Sequence, residues 1–286
     1  MTQIKSILVP TDFSEHAGYA LQLARQIALK QKASLQLLHI VEESGSHYMT
    51  AMSGGSHDQL DNVYVVKLIE KVKGDLQLVA NKLAAEGIKA TFKIKIGNPF
   101  KQISSHIQSD NHDLIVMGTQ GISGVEEIVV GSNTEKVIRH AKCPVITLKA
   151  PVELDDVDHI VFAISYFDSE EYFATQLKAI QEMFSAKVHL VTVNTPSNFL
   201  TERDMISSLN NFVSNYQISN CSIHSYSDAT EEEGIVHFAE DSEADAIAMA
   251  THGRTGITHL LTGSLSENLV NHAKLPVITF PLKHRD

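Results

Sequence analysis

Short apolar runs alternate along this chain with stretches whose apolar residues recur at helical spacing. Residues 4–9 form a run of strand length, and 14–30 then place Ala17, Ala20, Leu21, Ala24, Ile27 and Ala28 on one helical stripe. The alternation continues with a strand at 34–41, a long amphipathic helix at 63–85 and a strand at 90–96. A helix at 99–109, a strand at 113–117, a helix at 133–140 and a closing strand at 145–148 follow. Such alternation predicts an α/β fold, a parallel sheet with helices on both faces. Sheets of this kind bind ligands beyond the carboxyl ends of their strands, where the strand order reverses.

The pattern occurs twice. Residues 113–148 and 245–280 align without a gap at an offset of 132, with Asp113 on Asp245, Gly121 on Gly253, Gly131 on Gly263, Ser132 on Ser264 and Pro144 on Pro276. Earlier segments, 7–15 with 160–168 and 37–41 with 190–194, align at an offset of 153. The first half therefore holds 21 additional residues between Val41 and Asp113, and the Gly- and Ser-rich stretch 42–59 is their expected place. The expected organisation is two similar domains, 1–149 and 155–286, joined by a short linker.

One segment draws chemical attention. Gly118 and Gly121 bracket the turn out of the strand at 113–117, and Gly131-Ser132 precedes a helix start. Glycine lets another molecule approach the backbone closely. The N–H groups of a helix N-terminus favour an anion, and a serine hydroxyl adds a donor. Two glycine clusters so placed suit a ribose-phosphate. The plainer alternative is that the glycines mark turns and Ser132 caps a helix. The lysine-bearing phosphate loop G-x-x-x-x-G-K-[ST] is absent.

Composition narrows the partners. A formal charge of −11 argues against nucleic acid or an anionic membrane, both of which call for a basic face. No apolar run nears the roughly 18 residues of a membrane span, and the start of the chain has no signal-peptide pattern. Two cysteines in 286 residues make no disulfide framework, which points to a reducing cytoplasm. The fifteen histidines show no tight metal-ligand spacing, and surface solvation is the expected role of His47 and His57. Cys143, at a strand start, reads as an inert buried thiol. The nucleophile elbow G-x-S-x-G is absent.

The motif G-x-x-G, nine residues, then G-[ST], after an apolar strand and before a helix ending in C-P-V, resembles the signature of the universal stress protein family. "ILVPTDFSE" (7–15), "LLHI" (37–40) and "GNPFKQI" (97–103) are similar to that family's first strand and loop, second strand and third-helix turn. The resemblance covers nearly all of 1–149 and the second half well from Asp241 onward. It implies two tandem doubly wound five-stranded domains of Rossmann-like type, with an ATP or AMP site in many members. Carried over, it implies that Pro10, Thr11 and Asp12 form the loop by the nucleotide and that Ile40 contacts adenine. Met117, Gly118, Gln120 and Gly121 would line the ribose and phosphates, and Gly131, Ser132, Asn133 and Thr134 would hold the phosphates. Gln120 stands where the family usually has His, and Ile122 where it has Arg or Lys. Asp12 is a candidate Mg²⁺ ligand, since hard cations prefer carboxylate oxygen, and equally a carboxylate capping local N–H groups.

The second half departs further. Ala163-Ile164-Ser165 replaces Pro10-Thr11-Asp12, and Ala250 replaces Gly118. The resemblance still implies a weaker second site at Val193, Ala250, His252, Gly253, Arg254, Gly263 and Ser264, where Arg254 supplies a cation the first half lacks; another anion or an empty scaffold are its alternatives. The resemblance further implies that the closing strands, 144–148 and 276–280, pair antiparallel inside one pseudo-twofold chain, since an apolar edge left open invites aggregation. Homodimerisation beyond that pairing is allowed and not required. The expected function is adenine-nucleotide binding in a stress response. A slow ATPase and a ligand-free interaction scaffold are the alternatives, and Asp12 is the one obvious group for hydrolysis.

Overall fold

The computed structural model describes residues 4–42, 58–119, 132–164, 170–250 and 265–281. The first half runs β1 (Ser6–Pro10), α1 (Glu15–Gln31), β2 (Ser34–Val41), α2 (Asp58–Ala85), β3 (Ala90–Ile96), α3 (Pro99–Ser109), β4 (Leu114–Gly118), α4 (Ser132–His140) and β5 (Val145–Leu148). The second runs β6 (His159–Ala163), α5 (Glu170–Phe184), β7 (Lys187–Asn194), α6 (Glu202–Tyr216), β8 (Cys221–Ser227), α7 (Glu231–Asp241), β9 (Ala246–Ala250), α8 (Leu265–His272) and β10 (Val277–Phe280). All ten strands join one sheet in the order β3-β2-β1-β4-β5-β10-β9-β6-β7-β8. Every neighbouring pair is parallel except β5 with β10, which is antiparallel.

That one antiparallel pair is the seam. Its register sets Val277 on Thr147, Ile278 on Ile146 and Thr279 on Val145. Because Thr147 and Thr279 are counterparts, as are Val145 and Val277, a pseudo-twofold axis passes between Ile146 and Ile278. The side chains obey it. Thr147 Oγ1 donates to Val277 O at 3.2 Å, and Thr279 Oγ1 donates to Val145 O at 3.4 Å. Both hydroxyls are buried, so these bonds offset a desolvation cost that an unpaired hydroxyl would leave in place. The seam thus satisfies backbone and side chains at what would otherwise be two apolar edges.

Strand alternation divides the core into two layers. Ile7 and Val9 belong to one, with α1, α2, α5 and α6, and Leu8 belongs to the other, with α3, α4, α7 and α8. Each layer is continuous across the seam. In the first layer Phe162 and Phe280 stack at 5.9 Å between ring centroids. The repeated aspartates have one structural task in both halves. Asp113 Oδ2 accepts from Lys5 N and Ser6 N at 2.8 and 3.0 Å, and Asp245 Oδ2 accepts from Asp158 N and His159 N at 2.9 and 2.8 Å. Each ties the start of the half's first strand to the strand that will flank it.

The additional residues of the first half do not all fall where the Gly/Ser-rich stretch suggested. Helix α2 has 28 residues against 15 in its counterpart α6, so much of the insertion is helix. Residues 43–57 lie outside the described ones. Among the described residues no helix is long and apolar enough to cross a membrane.

Candidate functional site

In the first half the strand order reverses between β1 and β4, and the crevice lies beyond their carboxyl ends. Strand β1 ends on buried Pro10, which fixes φ as the chain leaves the sheet. Thr11 N still reaches Leu38 O at 2.9 Å, and Thr11 O accepts from His39 Nδ1 at 2.8 Å, so the loop is pinned to β2. Asp12 Oδ1 accepts from Ser14 N at 3.0 Å, and Phe13 N donates to Thr11 Oγ1 at 3.1 Å. The capping role foreseen for Asp12 is therefore present. Phe13 sits at φ 62°, in the left-handed region, with its ring 5.1 Å from the His39 ring and 44% exposed. A bulky residue held there is strained, and the two turn bonds around it hold the strain. Ser14 then caps α1, its side chain accepting from Ala17 N.

The other wall is the end of β4. Met117 is buried, and Gly118 closes the strand. A Cβ on Gly118 would stand 2.6 Å from the carbonyl carbon of His16 and 2.7 Å from its Cβ and O. The close approach that the sequence assigned to a ligand is made here by the protein's own helix α1. Thr134, on the first turn of α4, donates from Oγ1 to Gly118 O at 3.2 Å. Thr119 N and Oγ1 both reach Leu148 O, at 3.0 and 3.3 Å. Thus β4, β5 and the N-terminus of α4 are bound together beside the crevice. Helix α4 begins at Ser132, one residue before the sequence expectation.

Of the first-half candidates, Pro10, Thr11, Asp12, Ile40, Met117 and Gly118 lie at or just past the ends of β1, β2 and β4, and Ser132, Asn133 and Thr134 form the first turn of α4. Ile40 is half-buried, one residue beyond the His39 that holds the loop, and packs in the same layer as Met117. Gln120, Gly121 and Gly131 lie outside the described residues, as does Ile122.

The second half repeats the frame with different contents. Ile164 N reaches Val191 O at 2.9 Å, as Thr11 N reaches Leu38 O. Thr192 Oγ1 donates to Ile164 O at 3.3 Å, standing in for His39. Ile164 is a buried aliphatic plug where the first half has a threonine. Val193, counterpart of Ile40, is buried beneath α7, where a Cβ on Gly234 would come 2.5 Å from Val193 Cγ1. Ala250 ends β9. His252, Gly253, Arg254, Gly263 and Ser264 lie outside the described residues.

Sequence spacing missed one group. His106, Asp110 and His112 present one ligand atom each within 4.8 Å of one another. Their spacing, H-x-x-x-D-x-H, crosses a helix end and a loop, so no single periodicity marks it. Burial lowers the His106 pKa to about 4 and the His112 pKa in the same direction, favouring the neutral form of both rings. Cys143 and Cys221 are free thiols, and burial pushes Cys143 up to about 12, which makes it inert as expected.

The sequence profile of the universal stress protein family matches residues 3–149 and 224–281. Universal stress protein MJ0577 of Methanocaldococcus jannaschii is 30% identical over 153 residues, 51% of this chain and 94% of that one. Universal stress protein YxiE of Bacillus subtilis is 30% identical over 147 residues, 50% of this chain and 97% of its own. Each of these relatives therefore corresponds to about half of this chain. The solved universal stress protein of Archaeoglobus fulgidus matches along the whole length, with a TM-score of 0.76 at 21% identity over 98% of this chain and 99% of that one, a likeness of fold. With its profile matched in both halves, nearly whole relatives aligned and the fold shared end to end, this chain belongs to the universal stress protein family.

Proposed function

We propose that the first half binds an adenine nucleotide, ATP or AMP, at the β1–β4 crevice, and that the second half is a diverged copy serving structure or regulation. One observation carries the reading. The first turn of α4 is fastened to the end of β4 through Thr134 and Gly118 O, so a helix N-terminus stands beside the loop of Pro10, Thr11 and Asp12. Orphan N–H groups at such a terminus suit phosphate. The site motif that resembles the family's nucleotide signature supplies the rest of the reading. The second half lacks the carboxylate and the threonine of this loop and buries Val193 beneath α7, which supports one strong site per chain. We read the two halves as domains 1–149 and 155–286 in a stress-response protein of the cytoplasm. The two free thiols suit a reducing compartment.

Calorimetric titration of the intact chain with ATP and with AMP tests this. One site per chain is expected, weakened about tenfold or more by Asp12→Ala and by Gly131→Val, the latter filling the phosphate approach. Two equal sites, or loss only after changes at Gly253 and Gly263, would reverse the assignment of halves. Release of ADP from added ATP distinguishes turnover from binding, and Mg²⁺ dependence that vanishes in Asp12→Ala would give that carboxylate a metal role beyond capping.

A further inference from the structure

The rim of the sheet opposite the β1–β4 crevice, where first-half strands begin, holds ligating groups that nucleotide binding does not use. His106 lies in the last turn of α3, Asp110 is that helix's C-cap, and His112 follows two residues before β4. His106 is 1% exposed, and its Nε2 stands 2.5 Å from Gln36 Oε1 on β2. That oxygen only accepts, so His106 donates from Nε2 and keeps its lone pair on Nδ1. Nδ1 stands 3.7 Å from Asp110 Oδ2. His112 Nδ1 stands 3.0 Å from Ser6 Oγ. Its Nε2 is buried with no hydrogen-bond partner among the described residues. Two imidazoles are thus each anchored through one nitrogen while the other is left for a ligand, beside a carboxylate. Metal-ligating histidines are anchored in this way by groups behind them. A buried nitrogen without a partner also carries a desolvation cost that a bound cation would remove.

We propose that His106, Asp110 and His112 bind a divalent transition-metal ion of the zinc type, with Lys93 as its competitor. Two imidazoles and one carboxylate suit zinc, whereas magnesium and calcium prefer oxygen ligands throughout. Bonds of about 2.0–2.2 Å place tetrahedral ligand atoms roughly 3.3 Å apart. The present spacing, within 4.8 Å, closes by rotation of Asp110 and His112, both half-buried, while His106 stays fixed in the core. Lys93 Nζ now stands 2.5 Å from Asp110 Oδ2, and its side chain is 44% exposed, so it can swing into solvent when the ion enters. Among the described residues the second half has no such set. Phe238, Ser242 and Ala244 replace the three ligands. Its strand histidines are instead bonded in a line: His159 to His189 at 3.0 Å, His189 to Ser222 at 3.0 Å and Ser222 to His224 at 2.9 Å.

The test is calorimetric titration of the intact chain with Zn²⁺, alongside the visible absorption of added Co²⁺, with circular dichroism to check folding. Surface histidines give a background, so the readout is the difference between variants. His112→Gln and Asp110→Asn are each expected to weaken the strongest site about tenfold or more and to remove the tetrahedral Co²⁺ bands. Lys93→Gln is expected to tighten it about two- to fivefold, the worth of an exposed ion pair. A wild-type chain without tetrahedral Co²⁺ bands, equal binding by His112→Gln and wild type, or weaker binding by Lys93→Gln would each overturn the proposal. The Lys93 variant removes an exposed charge and keeps the test decisive even if a ligand variant unfolds.

Discussion

Acidification should unload stability from the second half through His189. That ring is 8% exposed and sits between His159 and Ser222, with Lys187 and His224 also facing it. Burial, then the neighbouring cations and imidazoles, lower its pKa from 6.5 to about 4. The unfolded chain therefore takes up a proton near pH 6.5 that the folded chain refuses until about pH 4. Stability contributed by the neutral ring is whole above pH 6.5 and is lost as pH falls toward 4. Between pH 7.5 and 4.5 the ceiling is roughly 2.5 kcal/mol, at about 1.4 kcal/mol per tenfold change in proton affinity. Water entry and relaxation around a polar cluster reduce this to about 1–1.5 kcal/mol. His224 titrates in the same direction, whereas His237, raised by its hydrogen bond to Asp228, contributes stability at low pH that is lost as pH rises. Chemical denaturation from pH 7.5 to 4.5, in chelator, should show a steeper loss for wild type than for His189→Gln, by about that 1–1.5 kcal/mol. Equal losses in the two proteins would refute the assignment of a refused proton to His189.

Gly118→Ala should destabilise the ligand-free protein by about 1–3 kcal/mol, because its methyl meets the His16 backbone. Thermal melting without nucleotide checks it, and an unchanged midpoint would mean that α1 yields freely. Ile278→Ala, on the pseudo-axis and 1% exposed, should cost about 2–5 kcal/mol in denaturant titration. Residues 1–150 expressed alone should self-associate in light scattering through the uncovered edge of β5, and a strictly monomeric fragment would count against the seam as an edge-covering device.

Much of this architecture was legible because it rests on periodicity. Apolar runs marked the strands, and the resemblance to the universal stress protein family implied the antiparallel pairing of the closing strands. The backbone frame of the candidate site was legible, since Pro10 and Gly118 mark strand ends and Ser132 a helix start. The reason for Gly118 was not, because a glycine looks the same whether a ligand or His16 presses on it. The length of α2 was partly hidden too, since its first turns carry a mixed pattern at 58–62 that gave no stripe to read. The His106, Asp110 and His112 cluster was invisible for a different reason. Its partners Gln36, Ser6 and Lys93 come from three other strands, and only the sheet order brings them together.

The single antiparallel step between β5 and β10 gives the molecule a polarity. First-half strands all point toward one rim of the sheet, and second-half strands point toward the other. The β1–β4 crevice and its β6–β9 counterpart therefore open on opposite rims, offset sideways by about 20 Å across four strand spacings. The turn of Thr11 and Asp12 therefore shares its rim with the places where second-half strands begin, around His159. One repeated fold thus gives the two rims of the sheet different contents, a first-half strand-end loop beside second-half strand starts on one and the reverse on the other.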